Sequence, residues 1–123
     1  MANTSIPELT TADHIELRAG VILHVVSSTR LQSMGYIELQ AGARMLKYRS
    51  PAEERLKQVE GESQVAVFDP EAGPQIHHLT RGSELRLLVG SEHEHSNPHA
   101  HTSLTRWEYE GDATELIRLW RKH

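Results

Sequence analysis

Short apolar segments with alternating polar residues follow one another along this chain, separated by glycine and proline. The alternation is clearest at Ile15 and Leu17 and again at Val21, Leu23 and Val25, on either side of a predicted turn at 19–20. Successive side chains of a strand point to opposite faces, so this pattern predicts strands with one buried face. Further strands are predicted at 36–40, 54–61, 64–68, 76–79, 85–89 and 102–109.

Both ends of the chain and one polar stretch depart from this alternation. Residues 1–12 have no periodicity and predict a loosely held lead-in to a single domain at 13–123. From Thr114 the apolar residues fall at helical spacing, which favours a short C-terminal helix over a last strand. Residues 93–101 are polar and contain Pro98, which predicts a loop. Many short strands between such turns predict an all-β barrel or sandwich.

The composition excludes several classes of protein. A chain of 123 residues suffices for one domain, and 24% charged with 37% hydrophobic residues is typical of a soluble globular protein. The net charge of −4 argues against a nucleic-acid partner, and no apolar run is long enough to span a membrane. The absence of cysteine excludes disulfides and thiolate chemistry. Because no secretory signal is visible at the N-terminus, we expect a cytoplasmic protein.

Two runs of the chain, 42–61 and 82–97, contain residues at characteristic distances: Gly42, Glu54, Gly61, Gly82, Gly90, His93 and Asn97. They fit the patterns G-x5-H-x-H-x3-E-x6-G and G-x5-P-x-G-x2-H-x3-N, through which the chain resembles the cupin superfamily. Seven matches, each with a chance of about one in twenty, are hard to attribute to accident. The resemblance implies a single-domain, RmlC-like cupin β-barrel, which is a double-stranded β-helix or jelly roll, and it implies a homodimer.

Three positions depart from these motifs. Tyr48 and Ser50 stand where the first motif has histidines, and Leu88 replaces the proline of the second. In the metal-bearing cupins the two histidines, the glutamate and the second-motif histidine bind one metal ion. Only Glu54 and His93 keep strong ligand atoms here, so we expect no permanent metal cofactor. A divalent metal held by Glu54 and His93 is the fallback.

Histidine is the one residue type in unusual number, since six of the nine lie between His77 and His101. The pairs His93–His95 and His99–His101 could together form a weak metal site in the predicted loop. We favour the simpler interpretation, in which these histidines are exposed loop residues with incidental affinity for metal.

The resemblance places one face of the segment 44–50 inside the barrel, where a small polar or anionic molecule, sugar-like or a carboxylate, would bind. Arginine grips carboxylates by paired hydrogen bonds, hydroxyls and imidazole supply directional ones, and an indole stacks on rings. A structural role competes at each position; Arg44 can point outward, and Tyr48 can fill the vacated volume with its hydroxyl on Glu54. The candidate ligand-binding residues are Arg44, Tyr48, Ser50, Glu54, His93 and Trp107, with Arg106 as an alternative.

These residues support four functional hypotheses. The leading one is a metal-free cupin that binds a small molecule. The second is a metal-independent epimerase, isomerase or cyclase in which His93 is the catalytic base, Tyr48 is the acid and Glu54 orients the imidazole. The third is a metal-dependent dioxygenase or lyase with non-standard ligands, and the fourth is a non-enzymatic dimer whose barrel is filled. Whether the chain is an enzyme stays open.

Overall fold

The computed structural model of this chain describes residues 6–121, which fold into ten strands and one α-helix. The first five strands are β1 (Asp13–Arg18), β2 (Val21–Ser28), β3 (Ser33–Leu39), β4 (Tyr48–Arg49) and β5 (Glu54–Glu60). They are followed by β6 (Ser63–Asp69), β7 (Gly73–Leu79), β8 (Glu84–Leu87), β9 (Glu92–Ser96) and β10 (Ser103–Tyr109), and then by the helix α1 (Ala113–Arg121).

The strands form two antiparallel sheets. The order is β1-β2-β3-β10-β5-β8 in the six-stranded sheet and β4-β9-β6-β7 in the four-stranded sheet. Two antiparallel sheets packed face to face with crossing connections make a jelly roll. This arrangement confirms the predicted all-β architecture. It also leaves β8 at the edge of one sheet and β7 at the edge of the other.

The main core lies between the two sheets and follows the predicted alternation. Leu23 of β2 pairs with Ile37 of β3, and neither is more than 2% exposed. On the same face of the six-stranded sheet Trp107 pairs with Leu56, and from the four-stranded sheet Val65 is fully buried. Each such side chain contributes roughly 1.5–3 kcal/mol relative to an exposed position. The apolar residues that alternate along the predicted strands are therefore the residues that form this core.

The helix α1 joins the barrel through its side chains. Asp112 caps it, since the Asp112 Oδ1 accepts a hydrogen bond of 2.7 Å from the Thr114 N–H. Leu116 is fully buried in the core and Trp120 is 5% exposed, which confirms the helix over a last strand. Within residues 6–121, no hydrogen bond joins the backbone of α1 to the backbone of a strand, although the Ala113 N–H donates to the Ser28 hydroxyl of β2 at 3.0 Å. In the same range no helix combines the length and apolar character needed to cross a membrane.

Two local predictions are wrong. Residues 93–101 are not all loop, because β9 (Glu92–Ser96) pairs with β6 and with β4. The alternation was missed because the buried positions of β9 carry histidine rather than an apolar residue. The segment 44–50, one face of which was expected to lie inside the barrel, is not one continuous strand either. Only Tyr48 and Arg49 are in β4, so the alternation does not extend back to Arg44.

The predicted lead-in is partly described. Residues 1–5 lie outside the described residues, and Pro7–Thr10 form a 3-10 helix. Leu9 of this helix is 5% exposed and belongs to a second apolar cluster with Tyr36 and Leu104. Tyr36 of β3 and Leu104 of β10 alternate along their strands with residues of the main core. They therefore point to the opposite face, and this cluster lies on the outer face of the six-stranded sheet.

Candidate functional site

The carboxylate of Glu54 is the centre of the polar group inside the barrel. Glu54 begins β5, points toward the space between the sheets and is 1% exposed. The Tyr48 hydroxyl lies 2.7 Å from both carboxylate oxygens, and the Ser50 hydroxyl donates to Oε1 at 3.1 Å. Burial raises the pKa of Glu54 to about 7, although both hydroxyl hydrogen bonds act to lower it. Glu54 therefore titrates close to neutral pH.

His93 stands beside this group but is not oriented by Glu54. It is directly opposite Tyr48 in the β4–β9 pair, and the two ring centres are 4.3 Å apart. Its Nδ1 lies 3.5 Å from the Ser50 hydroxyl and 3.4 Å from the Ser91 carbonyl oxygen. The predicted contact from Glu54 to the imidazole is therefore wrong, because the Ser50 hydroxyl stands between the two side chains.

The pKa values also change the predicted acid–base roles. Burial lowers the pKa of His93 to about 4, so the imidazole is neutral and weakly basic at pH 7. Burial, followed by the charge of Glu54, raises the pKa of Tyr48 well above its usual value. A base with a pKa near 4 and an acid with one well above 10 are poorly matched to neutral pH. Glu54 is the better-matched proton acceptor of the three.

A second polar network beside this group was not predicted. The Gln58 side chain accepts hydrogen bonds from Ser63 and Thr105 and donates one to Ser103, all within 2.7–2.8 Å. His95 Nε2 lies 3.0 Å from the Ser63 hydroxyl, and burial lowers the pKa of His95 to about 3. The sequence could have predicted the inward direction of Gln58, because residues 54, 56 and 58 of a strand lie on the same face.

Trp120 of α1 closes the space over Glu54. Its ring centre lies 5.9 Å from that of Tyr48 and 5.8 Å from that of Trp107. The space that remains is about 10 Å³ and is lined by Tyr48, Glu54, His93, His95, Trp120 and three apolar side chains. About 10–15 Å³ is the least that can hold one water molecule. Between these described side chains the space beside Glu54 therefore has room for about one water molecule at most.

Three predicted site residues lie elsewhere. The Arg44 side chain is 69% exposed and its guanidinium is 4.0 Å from Glu94, because residue 45 rather than 44 points inward. Arg106 donates to Glu108 at 2.6 Å. Trp107 is 1% exposed but contributes to the core through Trp120 and does not line the remaining space. The structure thus brings together Tyr48, Ser50, Glu54 and His93, and does not bring Arg44, Arg106 or Trp107 to the carboxylate.

Two further residues of the motifs, Asn97 and Gly61, have structural roles. Asn97 donates to the Leu39 carbonyl oxygen, which ties the end of β9 to β3, and to the His101 carbonyl oxygen in the segment before β10. Gly61 turns the chain between β5 and β6 with φ of +67°, and a Cβ there would lie 2.4 Å from the Thr102 carbonyl oxygen. Only glycine fits this position.

A cupin metal ion does not fit the side chains present. Both oxygens of Glu54 already accept hydrogen bonds from the hydroxyls of Tyr48 and Ser50, the residues at the two motif-one histidine positions. Neutral hydroxyls are weak ligands for a divalent transition metal. Among residues 6–121, no group of three or more His, Cys, Asp or Glu residues could hold a metal ion. His99 lies 4.0 Å from Glu62 instead of joining His93.

Comparisons with known proteins support the architecture. No protein-family model and no curated relative matches the chain. An RmlC-like cupin from Shewanella frigidimarina superposes with a TM-score of 0.75 at 15% identity, over 87% of this chain and 90% of that one. Oxalate decarboxylase from Bacillus subtilis, a protein with Mn(II) centres, superposes with a TM-score of 0.74 at 14% identity. That match covers 85% of this chain but 29% of the decarboxylase. At these identities the likeness concerns the fold alone.

Proposed function

This chain has the cupin fold, and we propose that it is a small-molecule-binding domain whose ligand occupies the barrel interior beside Glu54. The binding groups are the Glu54 carboxylate, the hydroxyls of Tyr48 and Ser50, and the imidazole of His93. Arg44, which would favour a carboxylate ligand, points out of the barrel. A neutral, hydroxyl-bearing molecule such as a sugar therefore suits the site better than an anion.

The burial of Glu54 carries the proposal. A carboxylate that is 1% exposed has lost almost all of its hydration, and two hydroxyl donors offset this loss only in part, since the pKa stays raised to about 7. An apolar side chain of similar volume would fill the barrel without this cost. Buried ionisable groups with strongly shifted pKa values are concentrated at functional sites.

Ligand entry in this proposal requires Trp120 to move. The closed interior leaves about 10 Å³, so the indole must leave before a sugar can reach Glu54. The helix α1 can withdraw without breaking either sheet, because within residues 6–121 its backbone makes no hydrogen bond to the backbone of a strand. Its bond from the Ala113 N–H to the Ser28 hydroxyl, at 3.0 Å, lies at the first residue of the helix and can act as the hinge. The apparent affinity is then the affinity of the open state reduced by its population.

The test is a thermal-shift screen of neutral pentoses, hexoses and polyols, with monocarboxylic acids of similar size as the second class of probe. We expect at least one neutral probe to raise the Tm of the wild type and to shift its tryptophan emission as Trp120 is displaced. The Tyr48→Phe and Ser50→Ala variants, which each remove one hydroxyl, should lose most of that increase.

Arg44→Ala is the matched control, because its side chain lies outside the barrel and its loss should leave the Tm increase unchanged. The proposal fails if no probe raises the Tm, or if Tyr48→Phe and Ser50→Ala respond to the probe as the wild type does. A response to carboxylic acids alone would contradict the proposed ligand class. A homodimer, which the resemblance to cupins implies, and a cytoplasmic location, which is expected because no secretory signal is visible, remain predictions.

A further inference from the structure

A second concave site lies where the two sheets separate. The edge strands β7 and β8 are not hydrogen-bonded to each other, and between them is a cavity of about 320 Å³, here called the β7–β8 cleft. Its lining residues are Val67, Phe68, Asp69, Pro70, Gln75, His77, Leu85, Arg86, Leu87, Leu88 and Ser91. Cavities of about 300–1,000 Å³ are typical of sites for small organic molecules. The cleft therefore has room that the interior beside Glu54 lacks.

Apolar side chains dominate the cleft. Val67 of β6 and the two leucines Leu85 and Leu87 of β8 belong to the inner faces of the sheets, and Leu87 is 1% exposed. Leu88 adds a side chain that is 58% exposed. A ligand with an apolar body would gain free energy by covering this surface, since the gain is proportional to the apolar area removed from water.

The charged residues of the cleft are already compensated. The Arg86 guanidinium donates to the Glu53 carboxylate at 2.7 Å. The Asp69 carboxylate accepts hydrogen bonds from the N–H groups of Glu71 and Ala72 at 2.8 and 2.9 Å. A charged ligand would have to break one of these arrangements to gain a partner. The cleft therefore favours an uncharged molecule.

The Ser91 side chain supplies a polar group that lacks a partner. Its Oγ is buried and has no hydrogen-bond partner among the described residues, although its carbonyl oxygen accepts from the Ser50 N–H at 2.9 Å. Buried hydroxyls are nearly always hydrogen-bonded, and an unmet one costs about 1–3 kcal/mol. This Oγ exposes less than 1 Å², so the Ser91 side chain, which lines the cleft, has to rotate before a ligand with one hydroxyl or amide group can satisfy it.

We propose that the β7–β8 cleft binds an uncharged, mainly apolar small molecule that carries one hydrogen-bonding group, such as an aromatic alcohol, and that Ser91 bonds this group. The site is separate from the interior site at Glu54, so either can exist without the other. The expected ligands also differ in chemical class, since the interior suits a molecule with several hydroxyls and the cleft suits a molecule with an apolar body.

The test uses the full ¹⁵N-labelled chain, with benzyl alcohol as the probe and toluene as the analogue that lacks the hydroxyl. Benzyl alcohol is expected to shift the backbone amide signals of Val67, His77, Leu87 and Ser91 saturably. Ser91→Ala should weaken benzyl alcohol binding roughly tenfold, the effect of one hydrogen bond, and leave toluene binding unchanged. Ser27→Ala, the same substitution at an exposed serine of β2, should change neither.

Three results would overturn the inference. The first is the absence of saturable shifts at the cleft, and the second is a benzyl alcohol affinity that Ser91→Ala leaves unchanged. The third is a change of the cleft signals on dilution without a probe, because a second copy of the chain would then fill the cleft. Shifts confined to Tyr48, Ser50 and Glu54 would place the probe in the interior and would also count against the cleft.

Discussion

Glu54→Gln is expected to stabilise the protein at alkaline pH, and the gain over the wild type should grow by about 2–3 kcal/mol between about pH 5 and about pH 8.5. The pKa of Glu54 is about 7 in the folded chain, against an ordinary value of 4.5. The folded state therefore binds a proton that the unfolded state has lost, and the contribution of Glu54 to the stability of the wild type falls as the pH rises from 4.5 through 7. A glutamine can still accept from Tyr48 but cannot ionise.

The buried histidines act in the opposite direction at lower pH. The pKa values of His93 and His95 are lowered to about 4 and about 3, so the unfolded state gains protons below 6.5 that the folded state does not. Both histidines therefore reduce stability as the pH falls below 6.5, and together they outweigh Glu54 there. From these three groups the free energy of unfolding of the wild type should be largest at about pH 7. Urea denaturation across the pH range measures the loss of stability on both sides of this maximum. A Glu54→Gln variant that loses as much stability above pH 7 as the wild type would contradict the buried carboxylate.

Trp120→Ala is expected to reduce the free energy of unfolding by about 3–5 kcal/mol, the usual cost of removing a buried tryptophan side chain. Trp120 is 5% exposed and contacts both Tyr48 and Trp107, so its loss opens a cavity beside Glu54. Trp120→Phe is the matched variant, because it keeps an aromatic ring and should cost less. Guanidinium denaturation measures both changes.

The Trp120→Ala substitution also tests whether α1 competes with a ligand for the barrel interior. If α1 competes with a ligand, Trp120→Ala should bind the neutral probe more tightly than the wild type, since no indole has to be displaced. A stability loss under about 1 kcal/mol would show that Trp120 does not seal the barrel, because exposed positions typically cost that little.

Much of the fold could be predicted, because buried apolar positions alternate on the strands that make the core. Leu23, Ile37 and Leu39 are all at most 2% exposed, as their alternation indicated. The strand β9 was missed since its buried residues are His93 and His95, which carry no apolar signal. A pattern of hydrophobic residues cannot reveal a strand whose inner face is polar.

The candidate site was predictable in part. The motif spacing brought together Tyr48, Ser50, Glu54 and His93, whose positions are set by strand pairing. The outward direction of Arg44 depends on an irregular segment before β4, where strand alternation does not apply. The filling of the barrel by Trp120 depends on how α1 packs, and helical periodicity gives the apolar face of a helix but not the surface that it covers.

In this cupin fold hydroxyls, rather than a metal ion, hold Glu54, and the retention of Mn(II) after chelation distinguishes the two. Purified wild type and a Tyr48→His/Ser50→His double variant would be loaded with Mn(II), dialysed against a chelator and assayed for retained metal, each with and without Glu54→Gln. The double variant restores the ligand types of the first cupin motif, so we predict that it retains one ion per chain only when Glu54 is present. The wild type is predicted to retain none. One ion per chain retained by the wild type and released by Glu54→Gln would contradict the account.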